Sequence, residues 1–126
     1  MNRLAAALMI FAAPALAAEP LAIHYNERPP YHFTQFGVPQ GDGIDRLSAA
    51  LRAANIPYQL RSTPAKQQLV LLRANLQPAC MLAWVGLPGR ERAGKLSEIV
   101  YDDRRLWCTQ ATPDDVMQRL NQALRK

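Results

Sequence analysis

The apolar segment from Ala79 to Val85 constrains the fold of this chain most, because it contains no polar residue. An uninterrupted run of this length, followed by a turn, is typical of a strand buried on both faces of a sheet. The turn spans Gly86 to Gly89, and Arg90 follows it. A central strand that presents a guanidinium at its carboxyl end can form an anion site, whereas a core strand followed by a solvated polar turn is the simpler alternative.

The segments before this strand predict alternating strands and helices. Leu21 to Tyr25 is predicted as a first strand, ended by Pro29 and Pro30, which cannot continue a central ladder. The glycine-rich loop from 37 to 43 lacks the sequence of a phosphate-binding loop, so we interpret it as a connector. A second strand is predicted at 58–61.

Apolar residues at helical spacing predict three helices. The first follows Asp42 as a candidate N-cap. The second begins at Thr63 and Pro64 and the third at Thr112 and Pro113, with the threonine as the predicted cap in each. A further strand is predicted at 106–109. The predicted buried faces comprise Ile44, Leu47 and Leu51 in the first helix, Leu69, Leu72 and Leu76 in the second, and Val116, Leu120 and Leu124 in the third.

The resulting order is β-α-β-α-β, followed by one more strand and a helix. Such an order predicts parallel strands joined by right-handed crossovers. Ligands of open α/β sheets bind outside the carboxyl ends of the strands. Here these ends are the segments 25–31, 61–63 and 84–90.

The first residues predict export from the cytoplasm. Arg3 precedes an apolar stretch from Leu4 to Ala13 that is too short to cross a bilayer, and a small-x-small site ends at Ala17. We therefore predict a signal peptide at 1–17, cleavage between Ala17 and Ala18, and one periplasmic domain at 18–126. The predicted mature chain has 14 basic and 10 acidic residues, and its scattered arginines form no stripe of the kind that binds nucleic acid.

The two cysteines, Cys80 and Cys108, both lie in this predicted domain. An oxidising compartment allows one disulfide between them, while two buried free thiols are the alternative. Their spacing matches no metal site, and His24 and His32 are far from both in the sequence. We expect neither a metal nor another cofactor.

The order of these features resembles the extracellular solute-binding protein family 3, the periplasmic binding proteins for amino acids and similar polar solutes. The matching segments are LAIHY with ERPPYHF, the helix start at 43–47, TPAKQQLVLLRAN, and GLPGRERAGKLSEIVY. The resemblance implies a single periplasmic-binding-protein-like lobe of the α/β class, with a βαβαβ parallel sheet plus a C-terminal strand and helix.

The resemblance also implies a function and a binding site. In the family, the arginine after the third strand grips the carboxylate of the ligand and aromatic residues after the first strand pack on it. These roles fall on Arg90 and Tyr31, and Trp84 and Asn26 complete the predicted ligand-binding set. The implied function is binding of a small anionic or zwitterionic, carboxylate-bearing solute for uptake or sensing. The implied partner is an ABC transporter membrane component or a sensor.

The chain also departs from the family. Val85, Gly86 and Leu87 stand where hydroxyl side chains are usual, and Leu96 replaces an aromatic residue. The second lobe would be missing, with a junction near 98–103, which leaves a bound solute open to water. A shortened, non-binding relative that acts as a protein-interaction module or remnant is therefore an alternative. A second alternative is a dehydratase-like enzyme on the same fold, with Glu27 and His32 as acid and base.

Overall fold

A computed structural model of the protein describes residues 19–126, so the predicted signal peptide at 1–17 lies outside the described residues. A five-stranded sheet forms the centre of the fold, with the strand order β4-β1-β5-β7-β6. The elements are β1 (Leu21–Tyr25), β2 (Phe33–Gln35), β3 (Val38–Gln40), α1 (Asp42–Ala53), β4 (Tyr58–Ser62), α2 (Ala65–Ala74), β5 (Ala79–Val85), β6 (Lys95–Tyr101), β7 (Arg104–Cys108) and α3 (Asp114–Leu124), with a short 3₁₀ helix at Arg90–Arg92.

The parallel part of the sheet confirms the predicted βαβαβ order. β1 lies between β4 and β5 and is parallel to both, and α1 and α2 are the crossovers. In β5 the segment 79–82 is fully buried, as an apolar run without polar interruption predicts. The carboxyl ends of β1, β4 and β5 therefore meet at one edge of the sheet.

The sheet continues beyond β5 with two antiparallel strands. β7 pairs with β5, and β6 pairs with β7 at the outer edge. The sequence predicts only β7 in this region, and β6 is an additional strand. Asp102 and Asp103 form the turn between Tyr101 and Arg104, so β6 leads directly into β7.

Each face of the sheet has its own apolar cluster. Helices α1 and α3 pack on one face, where Leu47, Leu51 and Leu120 are fully buried, and α2 packs on the other through Leu72. Alternate residues of each strand supply the two clusters, as the period of two in a strand requires.

Three sequence-based details of the helices were wrong. Asp42, the candidate N-cap of α1, is the first residue of that helix, and Gly41 occupies the cap position. Leu76, predicted to be buried, is 88% exposed, because α2 ends at Ala74 and Asn75 turns the chain with a left-handed backbone (φ 50°). Thr63 and Thr112, predicted as helix caps, make no capping hydrogen bond. Both are buried and bond into the sheet region instead.

A disulfide joins Cys80 of β5 to Cys108 of β7, which confirms the predicted bridge. The two residues are cross-strand partners, and neither has any exposed surface. The bridge therefore ties the parallel part of the sheet to its antiparallel part from within the core.

The segment between β1 and α1 positions Tyr31 at the edge of the sheet. The carbonyl of Tyr31 accepts a hydrogen bond of 2.9 Å from the backbone N–H of Gly43, and Arg28 N–H donates to the His32 carbonyl at 2.7 Å. Gly41 has a positive φ of 117°, and a Cβ at this position would overlap the Tyr31 carbonyl. A glycine is therefore required here for Tyr31 to lie against the start of α1.

The β2–β3 hairpin closes with a two-residue turn that does not suit one of its residues. Phe36 and Gly37 both have positive φ, as in a type I′ turn, and Phe36 is 94% exposed. Asparagine adopts this conformation more readily than phenylalanine, so we expect Phe36→Asn to raise the free energy of unfolding by about 0.5–1 kcal/mol. Urea unfolding measures the change. The control Val38→Asn also removes an exposed apolar side chain, but from a strand position, and an equal effect of both variants would contradict the prediction.

Candidate functional site

The four predicted ligand-binding residues all follow, or end, strands at the carboxyl edge of the parallel sheet. Asn26 directly follows β1, Tyr31 lies in the next loop, Trp84 is near the end of β5, and Arg90 begins the 3₁₀ helix. The structure brings Arg90 and Trp84 into contact. Tyr31 packs on the other face of the sheet, in the cluster covered by α1 and α3.

The guanidinium of Arg90 packs against two indole rings that also contact each other. Its Cζ is 5.3 Å from the ring centroid of Trp84 and 5.3 Å from that of Trp107. One guanidinium nitrogen donates a hydrogen bond to the Val85 carbonyl, and the indole N–H of Trp107 donates to the Arg90 carbonyl at 3.0 Å. A cation held against aromatic faces is stabilised by their quadrupoles. Arg90 is thus fixed in one position and half-buried.

A β-bulge sets Trp84 on the same face as Trp107. Strict alternation would place Trp84 with Leu82, on the face that α1 and α3 cover, but the pairing register shifts between these two residues. Ala83 at the bulge has a φ of 75°. Bulges of this kind re-aim a side chain near the end of a strand. The centroids of the two indoles are consequently 5.4 Å apart.

A chain of buried hydrogen bonds fixes Trp84. Its indole N–H donates to Gln68 Oε1 at 2.9 Å, and Gln68 Nε2 donates to the Thr63 carbonyl at 2.9 Å. Thr63 Oγ1 in turn shares a hydrogen bond of 2.8 Å with His24 Nδ1. Because Gln68 is only 1% exposed, its amide has little water to bond and keeps this geometry. Residues of β1, α2 and the end of β4 therefore hold Trp84, one of the two indoles that Arg90 contacts.

Tyr31 is part of a second aromatic group on the opposite face. Its ring stacks on Tyr101, with centroids 5.0 Å apart and an interplanar angle of 6°. Arg28 lies over the Tyr31 ring with its Cζ 5.7 Å from the centroid. Tyr101 also shares a hydrogen bond of 2.9 Å with His32 Nε2. The resemblance pointed to Tyr31, but Tyr101 and Trp107 lie far along the chain and were not identified as site residues.

Asn26 and His32 are joined through the backbone. The Asn26 carbonyl accepts a hydrogen bond of 2.6 Å from His32 Nδ1. Since a carbonyl can only accept, Nδ1 carries the proton and Nε2 accepts from the Tyr101 hydroxyl. His32 has no exposed surface. The half-buried side chain of Asn26 remains a predicted ligand contact.

The hypothesis of an acid–base pair rests on Glu27 and His32. Both Glu27 carboxylate oxygens accept hydrogen bonds from the backbone N–H of Thr34, at 2.9 and 3.2 Å, and both nitrogens of the buried His32 are already bonded. His32 is therefore not placed to exchange a proton with a solute, whereas Glu27 is exposed. Within 19–126, no cluster of three or more His, Cys, Asp or Glu side chains could hold a metal ion.

Two buried histidines make the stability depend on pH. Burial lowers the pKa of His24, and the charge of Arg61 adds to this effect. Burial also lowers the pKa of His32, and its hydrogen bond to the Asn26 carbonyl opposes that shift. The folded state therefore prefers neutral rings, whereas the unfolded chain takes up protons at about pH 6.5.

We expect the free energy of unfolding to be at its full value above about pH 6.5 and to fall as the pH is lowered through that value. Urea unfolding between about pH 7.5 and about pH 5.5 measures how steeply the free energy of unfolding changes with pH, in a range where most carboxylates stay ionised. His32→Asn should be less stable overall but should show a shallower slope. A slope equal to that of the unaltered protein would contradict the assignment of His32 as a neutral, buried group.

A cleft of about 450 Å³ lies at the opposite edge, beside the amino end of β1. Its apolar lining includes Leu21 and Ile56, and its guanidiniums are those of Arg61 and Arg119. Arg119 pairs with Asp115, and Arg61 bonds the side chain of Gln59. These cations are already engaged within the chain, and the amino edge is not where α/β sheets bind ligands. The carboxyl edge is therefore the stronger candidate.

Comparisons with known proteins identify the fold. No protein-family model matches the chain, and no curated protein matches it. Among solved structures, the arginine-bound form of domain 1 from TmArgBP has a TM-score of 0.64 at 13% identity and covers 83% of this chain and 90% of that one. The fold is that of one periplasmic-binding-protein-like lobe.

A second solved structure agrees with this fold. The arginine-, lysine-, histidine-binding protein ArtJ from the thermophilic bacterium Geobacillus stearothermophilus has a TM-score of 0.55 at 17% identity, over 63% of this chain. The present chain spans 35% of the length of ArtJ, but most of domain 1 of TmArgBP. Both structural neighbours are amino-acid-binding proteins.

Proposed function

We propose that this chain is a shortened, single-lobe relative of the extracellular solute-binding protein family 3. It binds a small, amino-acid-like solute, anionic or zwitterionic, at the carboxyl edge of its sheet through Arg90. The observation that carries the proposal is the position of the Arg90 guanidinium, which packs against both Trp84 and Trp107 at this edge. Within 19–126, no carboxylate forms a salt bridge with it.

The chemistry of this arrangement suits a carboxylate. A guanidinium has five N–H donors in a rigid fork, and Arg90 donates to only one carbonyl, that of Val85. Packing against the two rings orients the fork before a ligand arrives, which lowers the entropy cost of binding. A solute carboxylate can accept two parallel hydrogen bonds from such a fork. The indole surfaces can cover the apolar part of the same solute.

The single lobe has a consequence for affinity. Because β6 and β7 are joined by a two-residue turn at Asp102 and Asp103, no second lobe is inserted between them. A solute on this edge stays open to water on one side, and its burial is lower than in an enclosed pocket. Domain 1 of TmArgBP holds arginine as a separate domain, which supports ligand binding by one lobe. We expect affinity to be weaker than in a closed two-lobe protein.

The proposed location is the periplasm, reached through a signal peptide at 1–17. The buried Cys80–Cys108 disulfide fits an oxidising compartment. A solute-binding protein in this compartment delivers its solute to an ABC transporter membrane component or to a sensor, and we propose one of these as the partner.

A protein-interaction module is the second candidate function. Two apolar side chains near the carboxyl edge are exposed, Phe36 by 94% and Leu87 by 50%. Exposed apolar surface is typical of protein contacts. A stable homodimer on a sizing column that Phe36→Ser converts to a monomer would favour this function over solute capture.

Isothermal titration calorimetry of the purified protein 18–126 against the common amino acids tests the proposal. We expect a saturable heat with at least one of them at micromolar to millimolar concentration. The absence of heat with every amino acid, from a protein shown to be folded by its circular dichroism, would overturn it.

A further inference from the structure

We propose that Arg105 supplies a second guanidinium to this site, so that the solute carries a second anionic group besides the carboxylate bound by Arg90. This inference rests on the proposed function and narrows it to acidic, dicarboxylate-type solutes. It differs from what the structural neighbours bind, because their ligands arginine, lysine and histidine have basic side chains.

Arg105 lies at the correct edge of the sheet. It is near the start of β7, and β7 runs antiparallel to β5, so its first residues lie beside the carboxyl end of β5. Arg105 is the cross-strand partner of Trp84, and the Trp84 ring also contacts the Arg90 guanidinium. The two arginines are thus adjacent to the same indole.

The Arg105 side chain lies over Gly86, in the turn that precedes Arg90. A Cβ at Gly86 would be 3.2 Å from Arg105 Nε and 3.4 Å from its Cδ. Glycine therefore leaves the room that the Arg105 side chain takes. Arg105 therefore brings N–H donors from β7 to the turn that precedes Arg90.

The charge of Arg105 has no partner of opposite sign. Four basic side chains between 19 and 126 are half-buried, namely Arg90, Lys95, Arg104 and Arg105. Lys95 pairs with Asp114 at 2.7 Å and Arg104 with Asp103 at 3.5 Å, whereas Arg90 and Arg105 form no salt bridge. The two half-buried guanidiniums without a carboxylate are therefore the two beside Trp84.

Backbone carbonyls hold both of these guanidiniums in place without neutralising them. Arg105 Nη1 donates to the Ser97 carbonyl at 2.8 Å, as Arg90 donates to that of Val85. Half-burial weakens the hydration of a charge, so an anion that reaches it gains a stronger hydrogen bond than in water. Two positive groups beside one indole favour a solute with two negative groups.

Calorimetric titration with glutamate and with glutamine tests this inference, because the two ligands have nearly the same shape and differ in one negative charge. We expect the unaltered protein to bind glutamate at least about tenfold more tightly than glutamine, as a charge-assisted hydrogen bond would give. Arg105→Gln should bring this ratio close to one, chiefly by weakening the binding of glutamate. Aspartate and asparagine form a second pair with a shorter side chain.

Arg92→Gln is the matched control, since Arg92 is an exposed arginine of the 3₁₀ helix and its loss changes the net charge equally. It should keep the full preference for glutamate. Arg105→Lys, which keeps the charge but not the fork, should keep part of it. This second variant tests the inference even if Arg105→Gln does not fold.

The outcomes separate the inference from the proposed function. If the unaltered protein binds glutamine or arginine as tightly as glutamate, or if Arg105→Gln keeps the preference, Arg105 is not part of the site and the proposed function stands. If no amino acid binds to the unaltered protein, the proposed function fails and the inference fails with it.

Discussion

Replacing Arg90 with alanine is expected to weaken solute binding by about 100-fold or more, because it removes the guanidinium that pairs with the solute carboxylate. The substitution also uncovers the parts of the Trp84 and Trp107 rings that the guanidinium contacts. Calorimetry measures the loss with whichever amino acid binds the unaltered protein. Circular dichroism and urea unfolding check that the variant is folded.

Two variants serve as comparisons for Arg90→Ala. Arg90→Lys keeps the charge but loses the planar fork and the stacking on both indoles, so we expect an intermediate affinity. Arg92→Ala removes an exposed arginine two residues away and should leave the affinity unchanged. Equal binding by Arg90→Ala and the unaltered protein would show that Arg90 only packs against the two indoles and does not bind the solute.

Removing the disulfide is expected to lower the free energy of unfolding by about 3–4 kcal/mol. Cys80 and Cys108 are 28 residues apart, and a bridge over a loop of this length restricts the unfolded chain strongly. The variant that carries both Cys80→Ala and Cys108→Ala avoids a free thiol in the core. Urea unfolding of this variant and of the oxidised protein measures the difference.

The same double substitution should also weaken solute binding to a smaller extent. β7 carries both Trp107 and Arg105, and the bridge fixes β7 against β5. Reductant should change the stability of the unaltered protein and not that of the double variant. A difference in unfolding free energy below about 1 kcal/mol between the two oxidised samples would contradict the expected contribution of the bridge.

The parallel part of the fold could be predicted from the sequence because its signals are local. The apolar run 79–85, the helical spacing of Ile44, Leu47 and Leu51, and the proline before α3 each identify an element without tertiary information. β6 could not be identified in this way. Its residues 95–98 mix charged and polar side chains with one leucine, and its register against β7 is irregular.

The sequence predicts only a connector where the β2–β3 hairpin lies, because the hairpin also lacks a clear local signal. Its turn consists of Phe36 and Gly37, whereas asparagine or aspartate before glycine is the usual signal for a type I′ turn. The exposure of Leu76 depends on the left-handed backbone of Asn75, which ends α2 one turn before the apolar pattern ends.

The candidate site was predictable only as a position along the chain. The βαβαβ order and the family resemblance predict Arg90 as a ligand-binding residue. The structure places it at the predicted edge of the sheet. Its environment depends on contacts between distant residues. Trp107 is 17 residues away, and Trp84 reaches Arg90 only because the bulge at Ala83 turns it to the other face of the sheet.

The most direct test of solute binding at Arg90 uses the two tryptophans, which are the only ones in the chain. Both contact Arg90, so their indole N–H signals report on this site alone. In ¹⁵N-labelled protein titrated with glutamate, we predict that both indole signals shift along one saturable curve and that Arg90→Ala abolishes the shifts. Unchanged indole signals, with shifts instead in the side-chain amides of Gln59 and Gln77 at the opposite cleft, would contradict the account.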